Sequence, residues 1–144
     1  MGAALYETDF YGWANEQARL LREHRLEELD LNNLLAEVET MAGRERRELV
    51  SRLRVLLAHL LKWQYEPDRR GKSWQFTIRT QARDIRDLLG DNPSLKSHLP
   101  EALEKGYSQA RELAAYETGL EEGTFPEACP YDLDQALTGG YYPE

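Results

Sequence analysis

From Asp30 to Trp63 the chain reads DLNNLLAEVETMAGRERRELVSRLRVLLAHLLKW, and its apolar residues keep one phase throughout. Leu31, Leu35, Val38, Ala42, Leu49, Leu53, Leu56, Leu60 and Trp63 recur at the period of an α-helix. The 18 residues from Leu31 to Leu49 make five whole turns, so the same face continues across Gly43. Two separate helices would have little reason to preserve that phase. The spacing therefore predicts one helix of about 33 residues over roughly 30–64, about 50 Å long. Asp30 is its N-cap candidate, Gly43 a weak point or kink, and Pro67 its end.

Outward from this helix, the spacing predicts shorter ones on either side. Asp9 suits an N-cap for a helix running to about His24, with Phe10, Trp13, Gln17, Leu20, Leu21 and His24 on one stripe. Ser73 is the N-cap candidate of another, whose stripe is Trp74, Ile78, Gln81, Ile85, Leu88 and Leu89. Gly90-Asp91-Asn92-Pro93 stops it. Pro100 fits the first turn of a further helix carrying Leu103, Tyr107, Ala110, Leu113 and Ala114, which Gly119 ends. Beyond about residue 119 the chain reads as largely extended, with a short helix near Asp132 to Leu137. Period-2 alternation is missing, as are repeats and linkers. The expected fold is all-α: a single domain over 1–144, a helical bundle of one long central helix and three or more shorter packed ones.

The 144 residues include 41% apolar and 31% charged side chains, with three Trp, eight Tyr and three Phe, a composition that folds. The longest apolar run, Val55 to Leu61, is too short to span a bilayer and contains His59, so no membrane association is expected. The start, MGAALYETDFYGW, lacks the pattern of a secretory leader. A single cysteine, Cys129, forms no internal disulfide and suits a reducing, cytoplasmic setting.

The net charge of −8 is unevenly spread. Residues 44–86 hold 12 Lys+Arg against 5 Asp+Glu; the rest of the chain holds 6 against 21. Arg79, Arg83 and Arg86 fall opposite the Trp74/Ile78/Ile85 stripe, and Arg44, Arg47 and Arg54 form a similar row on the long helix. Such rows are either solvated faces or contacts for an acidic protein or a nucleic acid.

Catalytic constellations are scarce. The residues three before His24, His59 and His98 are leucines, so the Glu-x-x-His pattern of di-metal bundles is absent, and Cys129 has no clustered His partner. No metal or cofactor is expected. Gly71-Lys72-Ser73 resembles the end of a phosphate loop, but Glu66 stands where that loop needs Gly. His59 lies at the edge of the apolar stripe, beside Lys62 and on the side of Glu48. These three are the candidates for acid–base chemistry, against a plain structural role at a core boundary. Glu45 is in phase with the apolar stripe, so it must meet an arginine (Arg46, Arg52 or Arg70) or mark a wet break in the core. Trp63 and Trp74 read as core anchors, or as surfaces on which a ligand stacks.

Several of these residues occur together in a known pattern. His59-Leu60-Leu61-Lys62-Trp63, Pro67, Arg70, Trp74 and Ile78 to Ile85 resemble the bacterial domain of unknown function 29 family. So do Leu31 to Arg47 with Glu37, Glu39 and Gly43, then Asn92-Pro93-Ser94-Leu95, Tyr107 with Ala110, Phe125-Pro126 and Cys129-Pro130. The resemblance implies an all-α fold and no particular activity. The reading that follows is a non-enzymatic protein-interaction module, an adaptor or regulator whose partner is another protein. The alternative is nucleic-acid binding or processing through residues 44–86. A homo-oligomer is compatible with either.

Overall fold

A computed structural model of the chain describes residues 2–144. Among the described residues there are six α-helices, four short 3-10 turns and no strand. The helices are α1 (Gly2–Thr8), α2 (Phe10–Arg22), α3 (Leu31–Tyr65), α4 (Lys72–Asp91), α5 (Leu99–Thr118) and α6 (Leu133–Ala136). The chain divides into two compact units, Met1–Arg44 and Glu45–Glu144, and α3 contributes to both. The all-α bundle and the long helix expected from the sequence are both present. Helical structure runs through Gly43 without a break over all 35 residues of α3.

In the first unit, Asp9 caps α2 as expected, its carboxylate accepting from the Gly12 amide at 3.0 Å. The helix ends at Arg22, slightly short of the expected His24. The end is a Schellman turn: His24 adopts φ 58°, its amide donates to Leu21 O at 3.1 Å, and the Arg25 amide donates to Leu20 O at 2.9 Å. Trp13, Gln17 and Leu20 are buried. Asp30 ties α2 to the start of α3, because its carboxylate accepts from the Trp13 indole at 3.0 Å and the Asn33 amide at 2.7 Å. Its own backbone N–H donates to the buried Gln17 side chain at 2.8 Å. These donors, the Asn33 amide first, hold the Asp30 carboxyl below its usual range. The helix α1 was not anticipated; Tyr6 anchors it by donating to Glu37 at 2.6 Å and by packing edge-on against Trp13.

In this unit the apolar stripe of α3 does not face the core: Leu31, Leu35 and Val38 are 65%, 60% and 59% exposed and Ala42 is also exposed. The inward side of α3 here carries Asp30, Asn33 and Glu37 instead, which bond to α1 and α2 or sit beside them.

In the second unit the stripe behaves as expected. Leu49, Leu53, Leu56, Leu57, Leu60 and Leu61 are wholly buried and pack with Ile78, Ala82, Ile85, Leu88 and Leu89 of α4 and Tyr107, Ala110 and Ala114 of α5. The buried residues Ala102, Gly106, Ala110 and Ala114 form a small-residue ridge at four-residue spacing, so α5 approaches α3 closely. A Cβ on Gly106 would lie 2.9 Å from Leu53 Cβ, which is the reason a glycine sits there. Pro100 lies in the first turn of α5, and Gly119 at φ 80° caps its end, as the sequence indicates. Ser73 does not cap α4; the helix begins at Lys72, two residues earlier than that cap would set, with Gly71 at the cap position. Phe125 is buried edge-on against Tyr65, and the Tyr107 hydroxyl donates to Pro126 O at 2.5 Å. The short α6 is capped by Asp132, which accepts from the Gln135 amide.

Candidate functional site

One polar cluster of the second unit is built from residues of α3, α4 and α5. Lys62 is buried, 6% exposed, on the polar edge of the leucine stripe. Its ammonium donates to Glu117 of α5 at 2.9 Å and lies 5.1 Å from the centre of the Trp74 ring. Burying an ammonium is costly without such partners, so carboxylate and ring together explain its placement. The Arg69 guanidinium also approaches Trp74, at 6.0 Å. Trp63 receives Arg70 over its ring at 5.3 Å and packs against the tilted ring of Tyr142, centroids 4.8 Å apart. Arg70 in turn donates to the carbonyls of Trp63 and Glu144. Trp63 and Trp74 are therefore half-buried anchors for cations and for the end of the chain.

One turn before Lys62, His59 is half-buried, and its Nδ1–H donates to the Val55 carbonyl at 2.8 Å. That bond leaves Nε2 as the lone-pair nitrogen. Desolvation lowers the His59 pKa, the Val55 carbonyl raises it less, and the nearby Lys62 charge lowers it further. The imidazole is therefore neutral at neutral pH. Such a histidine can accept a proton, but an acid–base pair needs a second group within hydrogen-bond reach. Lys62 is committed to Glu117. Glu48 lies 11 residues away on the same helix, about 16 Å along its axis, and pairs with Arg52 at 3.4 Å. The structure thus brings His59 and Lys62 into one neighbourhood and leaves Glu48 in another.

That other neighbourhood is a groove of about 420 Å³ lined by Glu45, Glu48, Arg52, Asp84, Asp87, Leu88, Asp91 and Asn92. Arg52 bridges Glu48 and Asp84, the latter at 3.1 Å. Glu45 has no ion pair among the described residues and marks the wet break that its phase in the stripe allowed. Sequence reading weighs Asp84 and Asp87 only as neighbours of the arginine row, too few to neutralise it; that they line one groove with Glu45, Glu48 and Asp91 follows from the packing of α4 beside α3.

The basic row of α4 is divided in its contacts. Arg83 is exposed and reaches Asp84 at 3.3 Å, and Arg79 lies 5.5 Å from the Phe76 ring. Arg86 donates to the Leu137 carbonyl, and a Cβ on Gly139 would lie 3.5–3.6 Å from Arg79 and Ala82. Arg86 therefore holds the C-terminal segment, and the row is not a solvated face throughout. Arg44 and Arg47 are exposed; Arg54 is half-buried, its Nε without a hydrogen-bond partner. No group of three or more His, Cys, Asp or Glu able to hold a metal ion occurs among the described residues. Burial raises the pKa of the Cys129 thiol, which works against thiolate chemistry.

The first unit presents different chemistry. Ten large hydrophobic side chains are exposed among the described residues, and eight precede Arg44: Phe10, Tyr11, Leu21, Leu26, Leu31, Leu35, Val38 and Met41. Single exposed apolar residues are ordinary, but a row along one helix face is a mark of an interaction site.

Fold and surfaces together describe an all-α bundle without an assembled catalytic constellation among the described residues. A family model for the domain of unknown function DUF29 matches residues 5–142, nearly the whole chain. The chain belongs to that family. No curated protein and no solved structure matches it.

Proposed function

We propose that this protein is a non-enzymatic helical interaction module, and that the apolar face of α3 between Leu31 and Ala42 is its binding surface. The observation that carries the reading is the exposure of Leu31, Leu35, Val38 and Met41, each more than half open to solvent on one helix. Covering apolar surface contributes about 25 cal/mol per Å², so a row of this kind favours a partner with an apolar face of its own. We place the protein in the cytoplasm, consistent with one buried-side thiol and no disulfide; no helix among the described residues is long and apolar enough to cross a membrane.

The nucleic-acid alternative rests on the basic excess of residues 44–86. Five of those twelve basic side chains are engaged within the chain: Arg52, Lys62 and Arg83 in ion pairs, Arg70 and Arg86 on backbone carbonyls. The carboxylates of Glu45, Asp84, Asp87 and Asp91 border the same helices. Both facts favour the protein-binding reading. Affinity purification of tagged protein from its host, with and without nuclease, separates the two. The expected result is a nuclease-resistant partner retained by the natural chain and lost with Leu35→Glu. Recovery that disappears with nuclease and ignores Leu35→Glu supports the alternative.

A further inference from the structure

We infer that the partner of this α3 face is a second copy of the chain, paired antiparallel along Leu31 to Ala42. The inference rests on the reading of that face as the binding surface and adds the occupant and its register.

Three observations carry it. The first is spacing: Leu31, Leu35, Val38 and Ala42 follow one another at intervals of four, three and four, the a/d pattern of a two-helix seam. The second is self-complementarity. An antiparallel two-fold placed midway along the row sets Leu31 against Ala42 of the second copy and Leu35 against its Val38, so each layer joins a larger side chain to a smaller one. Leu34 then flanks Met41 of the second copy and widens the apolar seam. A parallel pair would instead stack Ala42 on Ala42, leaving a gap, and carry the in-phase Glu45 residues and the Arg44, Arg46 and Arg47 clusters of both copies side by side. The antiparallel register avoids this.

The third is area. Leu26, Leu31, Leu35, Val38 and Met41, at 56–65% exposure, present on the order of 500 Å², near the upper end of what a monomer ordinarily leaves uncovered. Wholly covered, two such faces bury at most about 1,000 Å² in total, the size at which a specific interface begins. A pairing of this size is a reversible dimer, and its population depends on concentration.

The test uses the full chain in light scattering coupled to size exclusion over a range of concentrations. The natural chain is expected to move toward twice its 16.7 kDa mass as concentration rises. Leu35→Glu with Val38→Glu is expected to remain monomeric with unchanged helicity, because both side chains are already exposed and neither is needed for the fold. In a Cys129→Ser background, Asn32→Cys chains mixed with Glu39→Cys chains should form mixed disulfides in preference to like-with-like ones, since those two positions face each other only in the antiparallel register. A mass that stays monomeric at all concentrations overturns the dimer. A dimer that survives the double Glu substitution overturns the seam, and like-with-like cross-linking overturns the register. A monomer that still captures its host partner through Leu35 would refute the second copy as occupant while leaving the interaction module standing.

Discussion

Replacing Gly106 by alanine places one methyl group at the closest approach of α5 to α3. The new Cβ would lie 2.9 Å from Leu53 Cβ, 3.3 Å from Val50 O and 3.5 Å from the Arg54 amide nitrogen. Carbon atoms prefer about 3.5–4.0 Å, so the overlap with Leu53 is roughly 0.6–1.1 Å. All three neighbours are fixed by the α3 backbone, so no rotamer change relieves the contact. The helices must separate, and the fully buried Leu53, Leu57 and Ala110 lose contact across the gap. Overpacking of this kind costs about 1–3 kcal/mol, while the gain in helix propensity from Gly to Ala returns up to about 1 kcal/mol. The net expectation is a loss of about 1–2 kcal/mol, or a Tm lowered by roughly 3–8 °C for a chain of this size. Urea and thermal unfolding followed by far-ultraviolet circular dichroism measure it. Gly90→Ala is the matched control: nothing lies within 4 Å of the added Cβ, so propensity acts alone and should stabilise by up to about 1 kcal/mol. A Gly106→Ala chain as stable as the natural one would refute the close α3–α5 approach.

Further perturbations test other parts of the structure. His24 holds a left-handed conformation at φ 58°, a strain of about 1–2 kcal/mol for a residue with a side chain; His24→Gly is expected to raise the urea midpoint of the first unit, and a lowered midpoint would contradict the Schellman turn. Glu117→Ala leaves the buried Lys62 ammonium without its carboxylate. Because Glu117 is itself 40% exposed, the loss is set at about 1–2 kcal/mol, below the range for fully buried pairs; a double-mutant cycle with Lys62→Met should show positive coupling. For His59, burial depresses the folded pKa below the ordinary 6.5. The unfolded chain then binds the proton first, so this contribution to stability is complete above about pH 6.5 and is lost as pH falls through the folded pKa. His59→Gln should flatten the decline of the denaturation midpoint as pH falls below about 6.5, and an unchanged slope would remove His59 as its cause.

Much of the architecture was legible because local chemistry wrote it. Asp9, Pro100, Gly119 and Asp132 are capping or first-turn residues whose effects act within a turn of their own positions, and each stands where its chemistry suggests. Ser73 failed because a side-chain cap is optional: Gly71 took the position with no side-chain hydrogen bond. The helix α1 carries no cap signal, and it is held by Tyr6 reaching Glu37, 31 residues away. The Lys62–Glu117 pair spans 55 residues and the Tyr131–Gln64 hydrogen bond spans 67. Nothing local announces such contacts. Among the site residues, His59 and Lys62 were legible together because one helical turn joins them, and Glu117 was not.

The row from Leu31 to Trp63 separates what the chain alone determined from what tertiary structure decided. Periodicity sets the phase of an apolar face, because backbone geometry turns each residue by a constant angle, and that phase holds over all of α3. Periodicity carries no information about what lies opposite. From Leu49 onward, α4 and α5 cover the face and its leucines are wholly buried; from Leu31 to Val38 the same phase stands more than half exposed. In the first unit Asp30 and Glu37 receive the bonds from α2 and α1, which turns the polar edge of α3 inward and the apolar row toward solvent. The helix and its stripe belong to the sequence; whether a leucine on that stripe is core or surface depends on which side of α3 the other helices engage.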